Sequence, residues 1–205
     1  MATVADGLIR VVGPGSAVVT ARLDTLPATG AVTVNAAPFT PGHAPVPAVP
    51  AADVISLFSN AYANRTVDKW SADWDVADVT SLNIGGDDLK LYTNLIYAGI
   101  EFTSNTVDAT AMTHFHMDVW VPSGTTFRVK LVDFGANGIY GGGDDSEHEL
   151  TFNSASTPAL ATGRWVGLEV PLADFANLLA RAHLAQLVLS GDTRTVYVDN
   201  LYFHR

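Results

Sequence analysis

The chain has 205 residues, of which 48% are hydrophobic and 16% are charged, and its formal net charge is −10. This composition supports at least one packed domain and excludes a wholly disordered chain. The negative charge argues against nucleic-acid binding, which needs a basic surface, and against docking on an anionic membrane. The chain has no cysteine, so disulfides and thiolate metal sites are excluded.

Three further features of the composition bear on location and ligands. No run of about 18 apolar residues is present, so no segment is predicted to span a bilayer. The first residues lack the cationic and apolar regions of a secretion signal. Seventeen aspartates stand against three lysines, and this excess favours oxygen-ligated cations such as Ca²⁺.

A proline-rich stretch divides the sequence. Residues 38–52 contain five prolines among alanines and other small residues. Proline fixes φ and removes a backbone donor, so this stretch is predicted to be a semi-rigid linker. It separates an N-terminal segment, residues 1–37, from a main body, residues 53–205.

The N-terminal segment is predicted to form strands, because β-branched runs alternate with glycine and proline breaks. Residues 6–9, 11–13 and 15–21 resemble the C-terminal half of a bacterial Ig-like (group 2) repeat. The resemblance implies a partial repeat within a piece of a longer polypeptide. The alternative is that these strands belong to the main body.

The body is predicted to be all-β. Short strand-like runs separated by turn residues favour an antiparallel β-sandwich, most simply a jelly roll. One short helix is expected within residues 171–183, with Leu172, Phe175, Leu178 and Leu179 on one face. The predicted strands cover residues 113–121, 127–134, 147–152, 164–172, 184–190 and 195–203.

Several stretches follow one another along the body in a recognisable order, at residues 54–62, 69–70, 73–74, 90–95, 99–102, 112–120 and 196–203. Together they resemble the carbohydrate-binding-type jelly rolls appended to secreted bacterial polysaccharide-degrading enzymes, such as those of glycoside hydrolase family 16. The resemblance implies a non-catalytic module that binds polysaccharide, with β-glucan favoured. It also implies an extracellular protein that is covalently linked to a catalytic domain.

The strand at residues 113–120 offers a candidate sugar-binding face. Alternation assigns Thr113, Phe115, Met117 and Val119 to the core. The other face carries His114, His116, Asp118 and Trp120, and the next strand adds Arg128 and Lys130. An aromatic ring beside hydrogen-bonding groups suits a pyranose, because its C–H face stacks on rings and its hydroxyls bind polar groups. The alternative is that these polar groups pair with each other to hold the sheet.

Further aromatic residues could serve as stacking platforms. Trp70 and Trp74 lie in a polar loop-like stretch, where each ring is either exposed or folded back over the core. Tyr97 is a further candidate. Tyr140 is expected on a surface loop, because it follows Gly138 and precedes three glycines.

Two places are candidates for Ca²⁺. By the family resemblance, Asp199 is a ligand of a structural ion between the first and last strands of the body, with Ser59 or Asn60 as partners. A second candidate is the loop at residues 133–149, where Asp133, Asp144 and Asp145 supply oxygen donors. The alternative for this loop is a solvated acidic hairpin.

Catalysis is not expected. Nucleotide-binding loops, nucleophile elbows and His-Glu-x-x-His motifs are absent from the sequence. Glu147 and Glu149 form a carboxylate pair of the kind that a glycosidase uses, but such pairs are common in an acidic chain. The competing non-enzymatic function is that of a structural or adhesive β-sandwich module of a bacterial surface protein.

Overall fold

The computed structural model describes residues 2–5, 8–11, 15–23, 25–36 and 40–205. They belong to two compact units, Met1–Thr40 and Pro41–Arg205. Parts of the Ig-like motif, at residues 6, 7, 12 and 13, lie outside the described residues, and so does the start of the predicted linker at 38–39.

The first unit contains two antiparallel hairpins. Strand β1 (Ala2–Ala5) pairs with β2 (Leu8–Val11), and β3 (Gly15–Leu23) pairs with β4 (Leu26–Ala36). The sequence correctly predicts extended structure here. Two hairpins are common to many β-folds, so the Ig-like resemblance stays a prediction.

The second unit is a β-sandwich of nine antiparallel strands. Its strand order is β10-β9-β12-β7-β13-β8-β11, with β5 also paired to β13 and β6 to β7. The six strands predicted for the body are all present. The nine strands are β5 (Val54–Phe58), β6 (Val76–Ile84), β7 (Asp87–Glu101), β8 (His114–Trp120), β9 (Phe127–Asp133), β10 (Ser146–Phe152), β11 (Trp165–Pro171), β12 (Leu184–Gly191) and β13 (Val196–His204).

Strand β7 belongs to both layers of the sandwich. Its N-terminal half pairs with β13 at Lys90–Tyr92, and its C-terminal half pairs with β12 at Tyr97–Glu101. Between them Asn94 has a φ of 51°, a left-handed conformation that asparagine tolerates better than most residues. Strands β10, β9, β12 and the end of β7 form the first sheet. The start of β7 with β5, β6, β13, β8 and β11 forms the second sheet.

The core follows the predicted alternation. Phe115, Met117 and Val119 of β8 are fully buried, whereas Thr113, just before the strand, is exposed. From the first sheet, Leu131 of β9 packs in the same buried cluster. The outward faces of the two sheets are therefore left to carry polar residues.

The predicted helix is much shorter than expected. Only Leu172–Asp174 forms a 3-10 helix, as do Ala51–Asp53 and Thr103–Asn105 elsewhere. Downstream, the backbone N–H groups of Asn177 and Ala180 bond to the side chains of His148 and Ser146, so a regular helix does not continue. Among the described residues no helix is long and apolar enough to cross a membrane.

In this segment most of the predicted apolar side chains are buried although the backbone does not form a helix. Leu172, Phe175 and Leu178 are buried as predicted, but Leu179 is 86% exposed. The spacing of three residues therefore reflects an irregular segment that crosses the edge of the core and places every third side chain inward.

Much of the predicted linker belongs to the second unit. The backbone oxygen of Gly42 accepts a 3.0 Å bond from Nε1 of Trp165, and that of Pro45 accepts a 2.9 Å bond from Nδ2 of Asn200. Ala44 is 3% exposed. From residue 41 onward the proline-rich stretch is thus attached to the sandwich instead of serving as a free spacer.

Candidate functional site

A groove of about 680 Å³ runs across the outward face of the first sheet. Strand registers place alternate residues of four strands side by side on this face. Their core-facing neighbours are buried, so the groove rests on a rigid layer. Its floor contains Tyr97 and Glu101 of β7, Gln186, Val188 and Ser190 of β12, Lys130 of β9, and Glu147 and Glu149 of β10.

Trp74 forms an aromatic wall at the β7 side of the groove. Its indole stacks on Tyr97, with ring centroids 6.0 Å apart and an interplanar angle of 15°. Its Nε1 donates a 2.9 Å hydrogen bond to Oε1 of Glu101. The side chain nevertheless remains 46% exposed. The indole is therefore both oriented and accessible, which a stacking platform requires.

Gly99 makes the position of this indole possible. A Cβ at residue 99 would lie 2.3 Å from Cζ2 of Trp74. The ring therefore lies directly on the backbone of β7, in space that only glycine leaves open.

The β10 side of the groove carries a second aromatic pair. Tyr140, in the loop between β9 and β10, is 61% exposed and its ring lies 5.6 Å from that of Phe134. The prediction that Tyr140 lies in an accessible loop is confirmed. Aromatic rings thus flank the polar floor on two sides.

The floor consists of paired polar groups. Nζ of Lys130 donates a 2.9 Å bond to Glu147, and Oγ of Ser190 donates a 3.4 Å bond to Glu149. Nε2 of Gln186 donates a bond of 3.4 Å to Glu101. Each pair retains unused donors or acceptors that could bind hydroxyl groups.

Sequence reasoning identified only part of this groove. Trp74, Tyr97, Lys130 and Tyr140 are the predicted sugar-binding residues that the structure brings together there. The alternation of β12 contained a signal that was missed, because its polar residues fall on one face. The groove residues not proposed for sugar binding from the sequence are Glu101, Phe134, Glu147, Glu149, Gln186, Val188 and Ser190.

Two other residues predicted to bind sugar do not line the groove. Arg128 is on the groove face of β9, and its Nε lies 3.7 Å from Glu149, beyond the groove lining. Trp70 instead packs edge-on against Phe58, with ring centroids 5.3 Å apart, beneath the Nζ of Lys90. Trp70 is therefore corrected from a platform to a ring folded against the core.

The predicted row on β8 is not part of the groove, because β8 lies in the second sheet. Trp120 is only 3% exposed and packs with Leu89 and Tyr197. Its ring cannot stack on a sugar in this position, which corrects the prediction. The sequence could not show this, because the burial depends on residues far away in the chain.

The three polar members of the row are paired locally, as the alternative reading expected. Nδ1 of His116 lies 2.6 Å from Oε2 of Glu169, and the ring of His114 stacks on that of His204. Burial lowers the pKa of His116, but its hydrogen bonds with Asp118 and Glu169 outweigh burial and raise this pKa above 6.5.

Asp118 faces a second buried carboxylate, Asp199, across the β8–β13 pair. Oδ2 of Asp199 has no hydrogen-bond partner among the described residues. Burial, with smaller contributions from Asp87 and Asp118, raises the pKa of Asp199 to about 8. Uncompensated buried carboxylates of this kind are costly unless a proton or a cation neutralises them.

The predicted partners of Asp199 are engaged elsewhere. Oγ of Ser59 donates a 2.7 Å bond to Oδ1 of Asn200, and Oδ1 of Asn60 accepts the backbone N–H of Asp88. Asp87 and Asp118 are the acidic groups that act on the charge of Asp199, and a Ca²⁺ role for Ser59 or Asn60 stays a prediction.

The carboxylates of the loop between β9 and β10 bind their own backbone. Asp133 is fully buried and accepts the N–H groups of Gly135 and His183. Asp144 and Asp145 accept those of Asn137 and Gly141. Asp133 is therefore tied to the fold, whereas Oδ1 of Asp145 has no hydrogen-bond partner among the described residues, and Ca²⁺ binding in this loop stays a prediction.

No protein-family model and no curated protein matches the chain. Solved structures of carbohydrate-binding modules do. A family 30 module of the cellulosomal cellulase Cel9D-Cel44B from Clostridium thermocellum covers 73% of this chain and 96% of its own, at 15% identity and TM-score 0.53. Two other family 30 module structures give TM-scores of 0.53 and 0.52, at 16% and 15% identity. They cover 73% and 74% of this chain, and 97% and 87% of their own. At this level of identity the likeness establishes a shared fold, so the second unit has the jelly-roll fold of carbohydrate-binding modules.

Proposed function

We propose that the chain is a non-catalytic carbohydrate-binding module that holds a polysaccharide chain along the groove of the first sheet. The observation that carries this proposal is the combination in one groove of an oriented, exposed indole and a floor of hydrogen-bonding side chains. Sugar rings need both, because their C–H faces stack on aromatics and their hydroxyls bind polar groups. The shared fold with modules that bind carbohydrate supports the same function.

The charges of the groove favour a neutral polymer. Lys130 is matched by Glu147 and Arg128 lies 3.7 Å from Glu149, while Glu101 adds negative charge. A polyuronate would be repelled, whereas a neutral glucan would not. This supports β-glucan, the ligand implied by the sequence resemblance, over acidic polymers such as alginate.

A module of this kind acts by proximity. Tethered to a hydrolase, it would raise the local concentration of substrate without adding a chemical step. The family 30 neighbour above is itself a module of a cellulase. Covalent linkage to a catalytic domain and an extracellular location are therefore part of the proposal.

The test is affinity electrophoresis and calorimetry with mixed-linkage β-glucan, laminarin, cellulose derivatives, xylan and alginate. We expect Kd values on the order of 10–1000 μM, about −4 to −7 kcal/mol. Trp74→Ala and Tyr140→Ala should each weaken binding about tenfold, since a lost aromatic contact costs roughly 0.5–1.5 kcal/mol plus buried area. Ile139→Ala is the matched control, because Ile139 is 65% exposed beside Tyr140 and does not line the groove.

The outcomes separate the two candidate functions. The carbohydrate-binding function is supported if the wild type and the Ile139→Ala control are retained on a neutral glucan and the groove variants are not. Failure to bind any of these polymers contradicts it and favours a structural or adhesive role.

We also propose that a structural Ca²⁺ binds at Asp199, with Asp87 and Asp118 as the neighbouring carboxylates. Oδ2 of Asp199 has no hydrogen-bond partner among the described residues, and carboxylate oxygens suit this ion. In the structure the ligand atoms of the three carboxylates do not all lie within 4.8 Å of one another, so the side chains would close around the ion. When bound, the ion would supply the positive charge that these groups lack. Strands β7, β8 and β13 would then be joined through one centre.

A further inference from the structure

A cluster of imidazole and carboxylate groups lies on the outward face of the second sheet, away from the groove. Its members are His114 of β8, Glu169 of β11 and His204 of β13. One potential ligand atom from each residue lies within 4.8 Å of those of the other two. Among the described residues no other group of three or more histidines and acids meets this spacing.

Strand register explains how three distant segments meet here. His114 lies opposite His204 in the β8–β13 pair and opposite Pro171 in the β8–β11 pair. Glu169, two residues before Pro171, is on the same face by alternation. The three side chains are therefore projected from three adjacent rigid strands, which suits a binding site better than loops do.

The carboxylate at the centre is held in place. Oε1 of Glu169 lies 2.5 Å from Nε2 of His204, and Oε2 lies 2.6 Å from Nδ1 of His116. Nε2 of His116 in turn lies 3.6 Å from Oδ1 of Asp118. His116 thus orients Glu169 from behind, as outer hydrogen-bond partners commonly orient metal ligands.

We propose that His114, Glu169 and His204 bind one divalent transition-metal ion, Zn²⁺ or an ion of similar preference. Imidazole nitrogen with carboxylate oxygen is a donor set that suits Zn²⁺ and is poorly suited to Ca²⁺. Three protein ligands leave a fourth position for water. The side chain of Glu169 is 48% exposed, so an ion can reach the site from solvent.

This site differs from the carboxylate centre at Asp199 in chemistry and in position. The ion would join the ends of β8, β11 and β13, and the proposal does not depend on sugar binding.

The test is calorimetric titration of the full chain with Zn²⁺ at pH 7.5, in excess Ca²⁺ so that carboxylate sites are filled. We expect one ion per chain. His114→Gln, His204→Gln and Glu169→Gln should each weaken binding at least tenfold. His183→Gln is the matched control and should change the Kd less than twofold, because His183 immediately precedes the first-sheet strand β12 and is not one of the three proposed ligands.

A second measurement reports on the coordination itself. Co²⁺ should give visible absorption bands of a low-coordinate nitrogen–oxygen site in the wild type, and His204→Gln should lose them. Thermal melting without metal checks that each variant is folded. The absence of one-to-one Zn²⁺ binding to the wild type at 100 μM overturns the proposal, and so does an equal loss in the His183→Gln control.

Discussion

At the scale of single residues, the side chain of Trp74 combines exposure with fixed orientation. An exposed indole in a loop would normally sample several rotamers and would lose that freedom on binding sugar. Here Glu101 holds its N–H, Tyr97 stacks against its ring and Gly99 leaves room beneath it. The platform is therefore organised before ligand arrives.

This arrangement predicts the effect of Gly99→Ala. The new methyl group would overlap the far end of the indole, so the ring must swing away from β7. We expect sugar binding to weaken about tenfold, with a shift in tryptophan emission, while the fold is retained. The measurements are calorimetry on the preferred glucan, fluorescence and thermal melting.

Gly42→Ala is the control for this experiment, because a Cβ there meets nothing within 4 Å. Unchanged affinity in Gly99→Ala, in a folded protein, would contradict the role given to Trp74.

Residue type alone could not separate the true platforms from buried rings. Trp74 lies between two aspartates and is 46% exposed, whereas Trp120, assigned by alternation to a polar face, lies between two valines and is 3% exposed. The difference arises because Trp120 lies in a sheet face that packs against Leu89 and Tyr197. Tyr140 was predictable because glycines surround it in the sequence, and local sequence decides the exposure of such a loop.

At the scale of elements, strands with strict alternation were predicted well and irregular ones were not. The buried face of β8 follows directly from its sequence. Strand β7 was missed as one element, because it runs through 15 residues and bends at Asn94 to serve both sheets. Which strands pair with each half of β7 depends on contacts between distant segments, and no local sequence pattern encodes these contacts.

The junction of β7, β8 and β13 predicts a response to calcium. Removing Ca²⁺ with EGTA should lower the melting temperature by about 5–10 °C, since a ligand at a hundred times its Kd stabilises by roughly 2.7 kcal/mol. Adding Ca²⁺ should restore it. Asp199→Asn should remove the response, because the orphaned buried carboxylate is then absent.

Asp174→Asn is the control, since Asp174 is an exposed acid outside this centre. If EGTA does not change the melting temperature of the wild type, the calcium proposal is contradicted. The proposal for sugar binding in the groove is not affected by that result.

At the scale of the whole molecule, the proline-rich stretch shows what composition leaves open. Proline content alone describes a stiff, extended segment. It does not say whether the segment is free or packed, because its backbone oxygens can accept bonds from either water or side chains. Here Gly42 and Pro45 accept them from Trp165 and Asn200.

Two truncations test this boundary. Removal of residues 1–40 should leave the melting temperature and the polysaccharide affinity of the second unit unchanged, because the groove lies entirely within residues 41–205. Removal of residues 1–50 should also delete the four hydrogen bonds that Gly42, Ala44, Pro45 and Val49 make with the sandwich. At about 1 kcal/mol for each bond, we expect a loss of roughly 4 kcal/mol and a melting temperature lower by about 8–16 °C. Thermal melting and glucan calorimetry on both proteins are the measurements.

Equal stability of the two truncated proteins would show that the proline-rich segment is a spacer after all. Loss of glucan binding after removal of residues 1–40 would show that the second unit alone does not contain the whole binding site.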